Sequence, residues 1–230
     1  MTPTLHEGQS DAVTMSAPTS AEFHVCESNP SAADLERSVE FWRPHLGRRV
    51  LDIGCGEGHL VAALCRAGYM AEGVDLTAEL AQRAAARGVK VAVGDAMEYV
   101  QQQGSRFDTF LMLDFVEHVP FQNVENILGA IPPGGRCIIQ TPNTNSIIGH
   151  QFYLQVPGHV TPLSPAVLGK MLARAGMTTL ASGTLWGGLP WTGLRRRATL
   201  FLLEKILGVV MLPLLVEGAG YYVVAEKRVG

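Results

Sequence analysis

Residues 50–60 read VLDIGCGEGHL, an apolar run that passes directly into three glycines at alternate positions, 54, 56 and 58. Val50, Leu51 and Ile53 are typical of a short buried β-strand. Glycines let the backbone turn tightly and approach a ligand closely where a helix begins. The next residues, GHLVAALCRAG, indicate a helix that ends at Gly68. The stretch therefore predicts a strand, a glycine turn and a helix, with a ligand site at the turn.

Strands and helices are predicted in alternation along the rest of the chain. Further strands are predicted at MAEGVDL, VKVAVGD, FDTFLML, GRCIIQT, MTTLASGTLW and GYYVVAEKR. Further helices are predicted at SAADLERSVEFWRPHL, AELAQRAAARG, FQNVENILGAI and SPAVLGKMLARAG. Near-continuous apolar strands in such an alternation predict the α/β class, with a doubly wound, mostly parallel sheet buried on both faces. In such sheets ligands bind at the carboxyl ends of the strands.

Composition bounds the domain count and excludes several classes of protein. The 230 residues suit one domain, and 47% apolar against 17% charged residues can build a core. A net charge of −3 argues against a nucleic-acid surface. Four cysteines without a C-x-x-C pair and a start without Lys, Arg or an apolar block predict reduced thiols in a cytoplasmic protein. The uncharged run 206–216 is shorter than the ~20 residues that span a bilayer.

Two acidic residues follow the next two strands. Asp75 ends GVD and can accept hydrogen bonds from the hydroxyl pair of a ribose. Asp95 in GDA can accept one from an adenine amino group. Beside a glycine turn that lacks a P-loop lysine, the two acids predict a nucleoside pocket without a phosphate clamp. The structural alternative is that both acids only cap the helices that follow them.

These motifs together resemble the class I S-adenosylmethionine-dependent methyltransferases. The resemblance rests on VLDIGCGEGHL (50–60), GVDL (73–76), VGDAMEYV (93–100), FDTFLMLDFVEHV (107–119) and PPGGRCIIQTPN (132–143). It implies a Rossmann-like, seven-stranded sheet whose last strand is reversed, and S-adenosylmethionine as cofactor. The cofactor-binding residues that it implies are Asp52, Gly54, Gly56, Asp75, Leu76, Asp95, Ala96 and Leu113. The nearest kinds of relative that it suggests are bacterial polysaccharide or sugar O-methyltransferases and the quinone-type O-methyltransferases.

The segment Asp114-Phe115-Val116-Glu117-His118 is the main candidate for chemistry on the acceptor. If it turns helically, Asp114 shares a face with Glu117 and His118. The spacing looks like the metal-binding E-x-x-E-H of quinone and small-RNA methyltransferases, with Asp114 in place of the first Glu. The resemblance implies a site for Mg²⁺ or Mn²⁺ made by Asp114, Glu117, His118 and, later in the chain, His159. In the alternative without a metal, His159 or His118 is the general base, and Asp114 is a further catalytic candidate.

The acceptor is less sharply indicated than the cofactor. GHQFYLQVPGHVTPLSP (149–165) resembles a stretch of methyltransferases that act on saccharides, and Phe152 and Tyr153 suit sugar stacking or, equally, a core role. We therefore expect O-methylation of a saccharide hydroxyl, free, polymeric or lipid-linked. The alternatives are a phenolic or quinone-precursor acceptor, and a non-catalytic cofactor-binding scaffold.

The predicted organisation is one methyltransferase domain with decorations. A flexible tail covers 1–30, and the domain covers 31–230, with a cofactor core at 46–142 and acceptor or lid segments at 143–165 and 188–217. The insertion 190–216, which contains Arg195-Arg196-Arg197, is open to three roles: lid, homodimer interface, or peripheral membrane contact through 195–216. No nucleic-acid partner is expected.

Overall fold

The computed structural model describes residues 30–185 and 218–229, which form one seven-stranded sheet flanked by helices. The strands are β1 (Arg49–Ile53), β2 (Met70–Asp75), β3 (Val91–Val93), β4 (Thr109–Leu113), β5 (Arg136–Pro142), β6 (Met177–Leu185) and β7 (Gly220–Lys227). The α-helices are α1 (Ala32–Trp42), α2 (His59–Arg66), α3 (Ala78–Ala86), α4 (Ala96–Gln103), α5 (Phe121–Ala130), α6 (Ile147–Gln155) and α7 (Pro165–Arg174). The predicted tail up to residue 29 and the predicted segment 188–217 lie outside the described residues.

The order of strands across the sheet is β3-β2-β1-β4-β5-β7-β6. Neighbours from β3 to β5 are parallel, whereas β7 lies antiparallel between β5 and β6. The predicted α/β class and the reversed last strand are therefore confirmed. The strand order changes direction between β1 and β4, which places the ligand crevice of a doubly wound sheet at the carboxyl ends of these two strands.

Both faces of the sheet are buried, as the apolar strands predict. The larger cluster covers one face with α4, α5 and α7, and includes Leu51, Ile53, Phe110, Met112, Ile139 and Val223. The smaller cluster covers the other face with α1 and α2, and includes Val39, Trp42, Val50, Leu111, Ile138 and Val224. Adjacent residues of one strand thus face opposite cores. Among the described helices, none combines the length and apolar character needed to cross a bilayer.

Two helices of the structure are absent from the prediction, and their sequences explain why. α4 has a single fully buried side chain, Val100, so its apolar spacing is weak. α6, IIGHQFYLQ, has no charged residue and no polar face, so no amphipathic period marks it. In both cases the evidence for the helix lies at its first turn, where the side chains of Asp95 and Ser146 accept backbone N–H bonds.

α6 packs unusually close to the segments that enter and leave the sheet beside it. The Ser146 hydroxyl accepts the N–H of Gly149 at 2.8 Å. Asn143, at the start of the connection to α6, donates its backbone N–H to the Ala219 carbonyl at 2.8 Å. A Cβ at position 149 would overlap the carbonyl oxygens of both Asn143 and Ala219. Glycine is therefore required at this position because there is no room for a Cβ atom, and not because of its backbone conformation.

We expect Gly149→Ala to lower the free energy of unfolding by about 1–3 kcal/mol, because two backbone carbonyls must move to admit the methyl group. Gly169→Ala is the matched control, since Gly169 lies in α7 with open space around its Cβ position. There the same change should stabilise by about 0.5–1 kcal/mol through helix propensity. Urea titration of both variants checks the sign, and equal effects at the two sites would contradict the argument.

Candidate functional site

The glycine turn after β1 has the backbone conformation that only glycine adopts readily. Gly54, Gly56 and Gly58 have φ of +71°, +54° and +70°. Gly58 is also the N-cap of α2, so the turn passes directly into that helix. A Cβ at position 54 would collide with the ring of Phe115, which follows β4. The turn after β1 and the loop after β4 are therefore in direct contact.

Asp75 fastens this turn to the end of β2. Its Oδ2 accepts the Gly56 N–H at 2.9 Å, and its Oδ1 accepts the Thr77 N–H at 2.8 Å. Asp75 therefore does not cap α3, whose N-cap residue is Thr77, but joins the glycine turn to the residues that follow β2. An ionised carboxylate has about four acceptor positions, so these two bonds leave room for a ligand's hydroxyl groups.

The other predicted nucleoside residues lie along the same edge. The Asp95 Oδ1 accepts the Glu98 N–H at 3.0 Å, so this acid does cap α4, as the structural alternative proposed. Ala96 is the first residue of α4, and Leu113 is the last residue of β4. The side chain of Leu76 is 67% exposed beside Asp75, where an apolar group without a protein neighbour can cover a flat ligand.

Asp52 lies inside β1 and is only 5% exposed. Burial, with a smaller contribution from the charge of Asp75, raises the pKa of its carboxyl group to about 7. Two acidic groups thus lie together at the glycine turn. A cationic ligand bound beside such a pair would stabilise the ionised form of both carboxyl groups.

Three of the four predicted metal-site residues come together at the carboxyl end of β4. Glu117, His118 and His159 each present one candidate ligand atom, and these atoms lie within 4.8 Å of one another. Glu117 is buried at 1% exposure, and its Oε1 is 4.0 Å from His159 Nε2. The loop of His159 reaches this point because the N–H groups of Val160 and Thr161 both bond the Glu117 carbonyl.

Both imidazole rings are oriented by backbone carbonyls. His118 Nδ1 lies 3.2 Å from the Gly158 oxygen, and His159 Nδ1 lies 2.9 Å from the Tyr153 oxygen. A carbonyl only accepts, so each Nδ1 carries the proton and each Nε2 of a neutral ring keeps its lone pair. Burial lowers the pKa of both histidines, with a further contribution from His159 at His118, which favours that neutral form. The ring of Tyr153 stacks on His159.

Asp114 does not join this cluster. The helical turn begins only at Val116, and Asp114 precedes it with a φ of +51°, the left-handed conformation. Its Oδ2 instead accepts the side-chain N–H of Gln140 at 2.9 Å. The shared helical face that the spacing predicts for Asp114 is thus replaced by a turn, which Asp tolerates better than most residues.

Asp114 and Glu117 still influence each other electrostatically. Loss of hydration within the protein raises the pKa of both carboxyl groups, and the charge of Asp114 raises the pKa of Glu117 further. Asp114 and His118 nevertheless remain exposed to solvent, while Glu117 is buried. The loop after β4 therefore presents one buried carboxyl group between two exposed polar side chains.

Sequence reasoning missed Thr141, which contacts this cluster, and Gln140, which binds Asp114 beside it. It named Tyr153, but not for its contact with His159. The Thr141 hydroxyl donates to Glu117 Oε2 at 3.1 Å. The available signal was a pair of polar residues at the end of an otherwise apolar strand, β5. His150, the remaining histidine of this region, is exposed on α6, away from the cluster.

Comparisons with known proteins show which family the chain is similar to. A family model described as a methyltransferase domain matches residues 30–182. The ubiquinone biosynthesis O-methyltransferase of Psychrobacter arcticus is 29% identical over 168 residues, which cover 64% of this chain and 65% of that protein. The protein of the same name from Aromatoleum aromaticum is 28% identical over 182 residues, covering 70% of this chain and 76% of that protein.

Solved structures support the fold independently. A SAM-dependent methyltransferase from Archaeoglobus fulgidus superimposes with a TM-score of 0.67 at 21% identity, covering 86% of this chain and 95% of that one. The chain spans about two thirds of the length of the curated relatives, 65% and 63% for the two Psychrobacter proteins. Because the family model covers well over half of the 230 residues, the chain belongs to the methyltransferase-domain family and has the fold of S-adenosylmethionine-dependent methyltransferases.

Proposed function

We propose that the protein is an O-methyltransferase that moves the methyl group of S-adenosylmethionine to a hydroxyl of a phenolic or quinone-precursor acceptor. The observation that carries this proposal is that Glu117 and His118, on the loop whose Phe115 packs against the glycine turn, lie close to His159 from the loop after α6. Candidate acceptor chemistry and the candidate cofactor turn therefore share one edge of the sheet. The names of the relatives, which place them in ubiquinone biosynthesis, favour this acceptor class.

The residues at the glycine turn fit the cofactor. S-adenosylmethionine carries two cationic groups, a sulfonium that supplies the methyl and an ammonium. Asp52 and Asp75 offer two acidic groups at the turn, and Asp52 is buried. Asp75 is proposed to bind the ribose hydroxyls, and Asp95 with Ala96 the adenine. Gly54 and Gly56 admit the methionine part because they lack side chains, and Leu76 and Leu113 border the site.

The cluster at the end of β4 fits a divalent cation. Two neutral imidazoles and one carboxylate make a mixed nitrogen and oxygen donor set, which suits Mn²⁺, Fe²⁺, Co²⁺ or Zn²⁺ better than Mg²⁺. Glu117, His118 and His159 would hold the ion, and such an ion lowers the pKa of a hydroxyl that it binds. Without an ion, the Nε2 of His159 or His118 is the base that takes the proton from the acceptor hydroxyl.

The saccharide acceptor has less support than the phenolic one. Tyr153 is buried and stacks on His159, so its ring belongs to the packing around the cluster and not to a sugar-binding face. Phe152 is 53% exposed and is the one of the two aromatics whose ring is accessible to a ligand. The segment 195–216, proposed as lid, interface or membrane contact, lies outside the described residues.

We expect Asp75→Ala to weaken S-adenosylmethionine binding about 100-fold or more, since two charge-assisted hydrogen bonds to the ribose and the anchor of Gly56 are lost together. His159→Ala should bind the cofactor like wild type and lose turnover. Isothermal titration calorimetry on both variants separates the two roles. Wild-type affinity in Asp75→Ala would remove this residue from the cofactor site.

Cofactor binding should depend on pH through Asp52. A bound cation favours the ionised carboxylate, so binding releases a proton when Asp52 is protonated, below its pKa of about 7. We therefore expect affinity to fall by up to about tenfold per unit as the pH drops from 7 to 5, and Asp52→Asn to flatten this dependence. Calorimetry at pH 6 in two buffers with different ionisation enthalpies counts the protons. A count of zero in wild type contradicts the assignment.

Transfer to acceptors is tested with a panel of catechols, phenols, free sugars and lipid-linked glycans. We expect methylation of the phenolic compounds, a loss of about tenfold or more after EDTA treatment, and recovery with Mn²⁺ or Zn²⁺. Turnover that EDTA does not change would favour a histidine base. Transfer to sugars alone would restore the saccharide hypothesis, and cofactor binding without transfer to any acceptor would favour a non-catalytic scaffold.

A further inference from the structure

The last residues of β5 each bind one carboxylate of the loop after β4. Gln140 donates its side-chain N–H to Asp114 Oδ2 at 2.9 Å, and Thr141 donates its hydroxyl to Glu117 Oε2 at 3.1 Å. Thr141 is 1% exposed and Gln140 is nearly as buried. Two consecutive buried polar side chains at the end of an apolar strand are costly unless each has a partner. Here each partner is an acidic residue of the candidate site.

The register of the sheet explains how one strand reaches both acids. Leu113, the last residue of β4, pairs with Gln140, and the Asp114 N–H bonds the Gln140 carbonyl at 2.9 Å. The loop after β4 therefore continues across the end of β5. Consecutive strand residues point to opposite faces, so the side chains of Gln140 and Thr141 approach this loop from two sides.

The two hydrogen bonds have opposite consequences for the two carboxylates. Thr141 takes one oxygen of Glu117, and the other oxygen, Oε1, lies 4.0 Å from His159 Nε2. Gln140 binds the carboxylate of Asp114. In this position Asp114 contributes no ligand atom to the cluster of Glu117, His118 and His159. Glu117 thus faces the imidazole of His159, whereas Asp114 is held away from the cluster.

We propose that Thr141 and Gln140 are positioning residues that sort the two carboxylates of this loop. Thr141 fixes Glu117 so that one oxygen serves the cation site, and Gln140 holds Asp114 outside that site, where Asp114 is exposed to solvent. The inference rests on the proposed cation site, and it adds the reason why the site contains one carboxylate and not two. The inference also gives the two acids different roles. Glu117 binds the metal, and Asp114 stays outside the cation site, where an acceptor can reach it.

The experiment uses Co²⁺ as the probe, because its visible spectrum reports both binding and coordination number. We expect Thr141→Val, which keeps the shape and removes the donor, to weaken Co²⁺ binding about 10- to 100-fold. Thr141→Ser restores the hydroxyl and should bind within about threefold of wild type. Thr141→Ala is a second variant without a hydroxyl, in case the valine impairs folding. S-adenosylmethionine affinity, unchanged in all three, shows that the fold is intact.

Gln140→Met tests the other half of the proposal. Without the amide donor, Asp114 is free to turn toward the cluster and add a hard oxygen ligand. We expect the Co²⁺ absorption to weaken, as it does when the coordination number rises, and Mn²⁺ to bind more tightly than in wild type. Unchanged spectra and Mn²⁺ affinity would overturn the role of Gln140.

The outcomes separate this inference from the proposed function. If wild type binds S-adenosylmethionine but no Co²⁺, the cation site itself is wrong and the sorting role falls with it. If wild type binds Co²⁺ and Thr141→Val binds it equally well, the cation site stands and the role of Thr141 is overturned. Loss of binding in Thr141→Ser as well as in Thr141→Val would assign Thr141 to packing instead.

Discussion

The carboxyl group of Glu117 is the group on which the proposed acceptor side of the site depends. An ionised carboxylate buried this deeply costs several kcal/mol unless hydrogen bonds or a positive charge compensate it. The surrounding structure supplies one hydroxyl, from Thr141, and brings two imidazoles close. The backbone of the same residue holds the loop of His159 through two further bonds. The cation that we propose for this cluster would compensate the buried charge, and in this way the burial of Glu117 links the fold to the proposed chemistry.

The two halves of the site are built by different means. The glycine turn is formed mainly by the backbone. Its three residues with positive φ carry no side chain, and Asp75 holds the turn through the Gly56 N–H. The site at the end of β4 is formed by side chains. Backbone carbonyl groups orient two of them by accepting the Nδ1–H bonds of His118 and His159. Phe115 joins the halves through its contact with Gly54. A cofactor common to a large family suits the first kind of surface, and an acceptor that varies between members suits the second.

The sequence predicted the strands and most helices, because apolar runs and closing glycines are local signals, and the reversed last strand followed from the family resemblance. It did not predict α4 or α6, since one has too few apolar residues and the other too few polar ones. The resemblance named Glu117, His118 and His159, which the structure brings together, but it also added Asp114, because a spacing of three or four residues implies a shared face only if the helix starts early enough. The roles of Gln140 and Thr141 depend on contacts between strands and loops 24 to 26 residues apart, which no local pattern reveals.

The place of β7 in the sheet has a consequence for how the protein forms during synthesis. β7 is translated last among the strands, yet it lies between β5 and β6 and is the partner on which the hydrogen bonding of β6 depends. While the ribosome is still making residues 186–219, the strands from β1 to β5 can assemble, whereas β6 lacks its neighbour. Such long-range pairing is slow, and it leaves strand edges open in the meantime. The pairing of β6, and the bond from Asn143 to the Ala219 carbonyl beside α6, therefore form only after the last strand has been made, whereas the part of the sheet that carries the glycine turn can form before it.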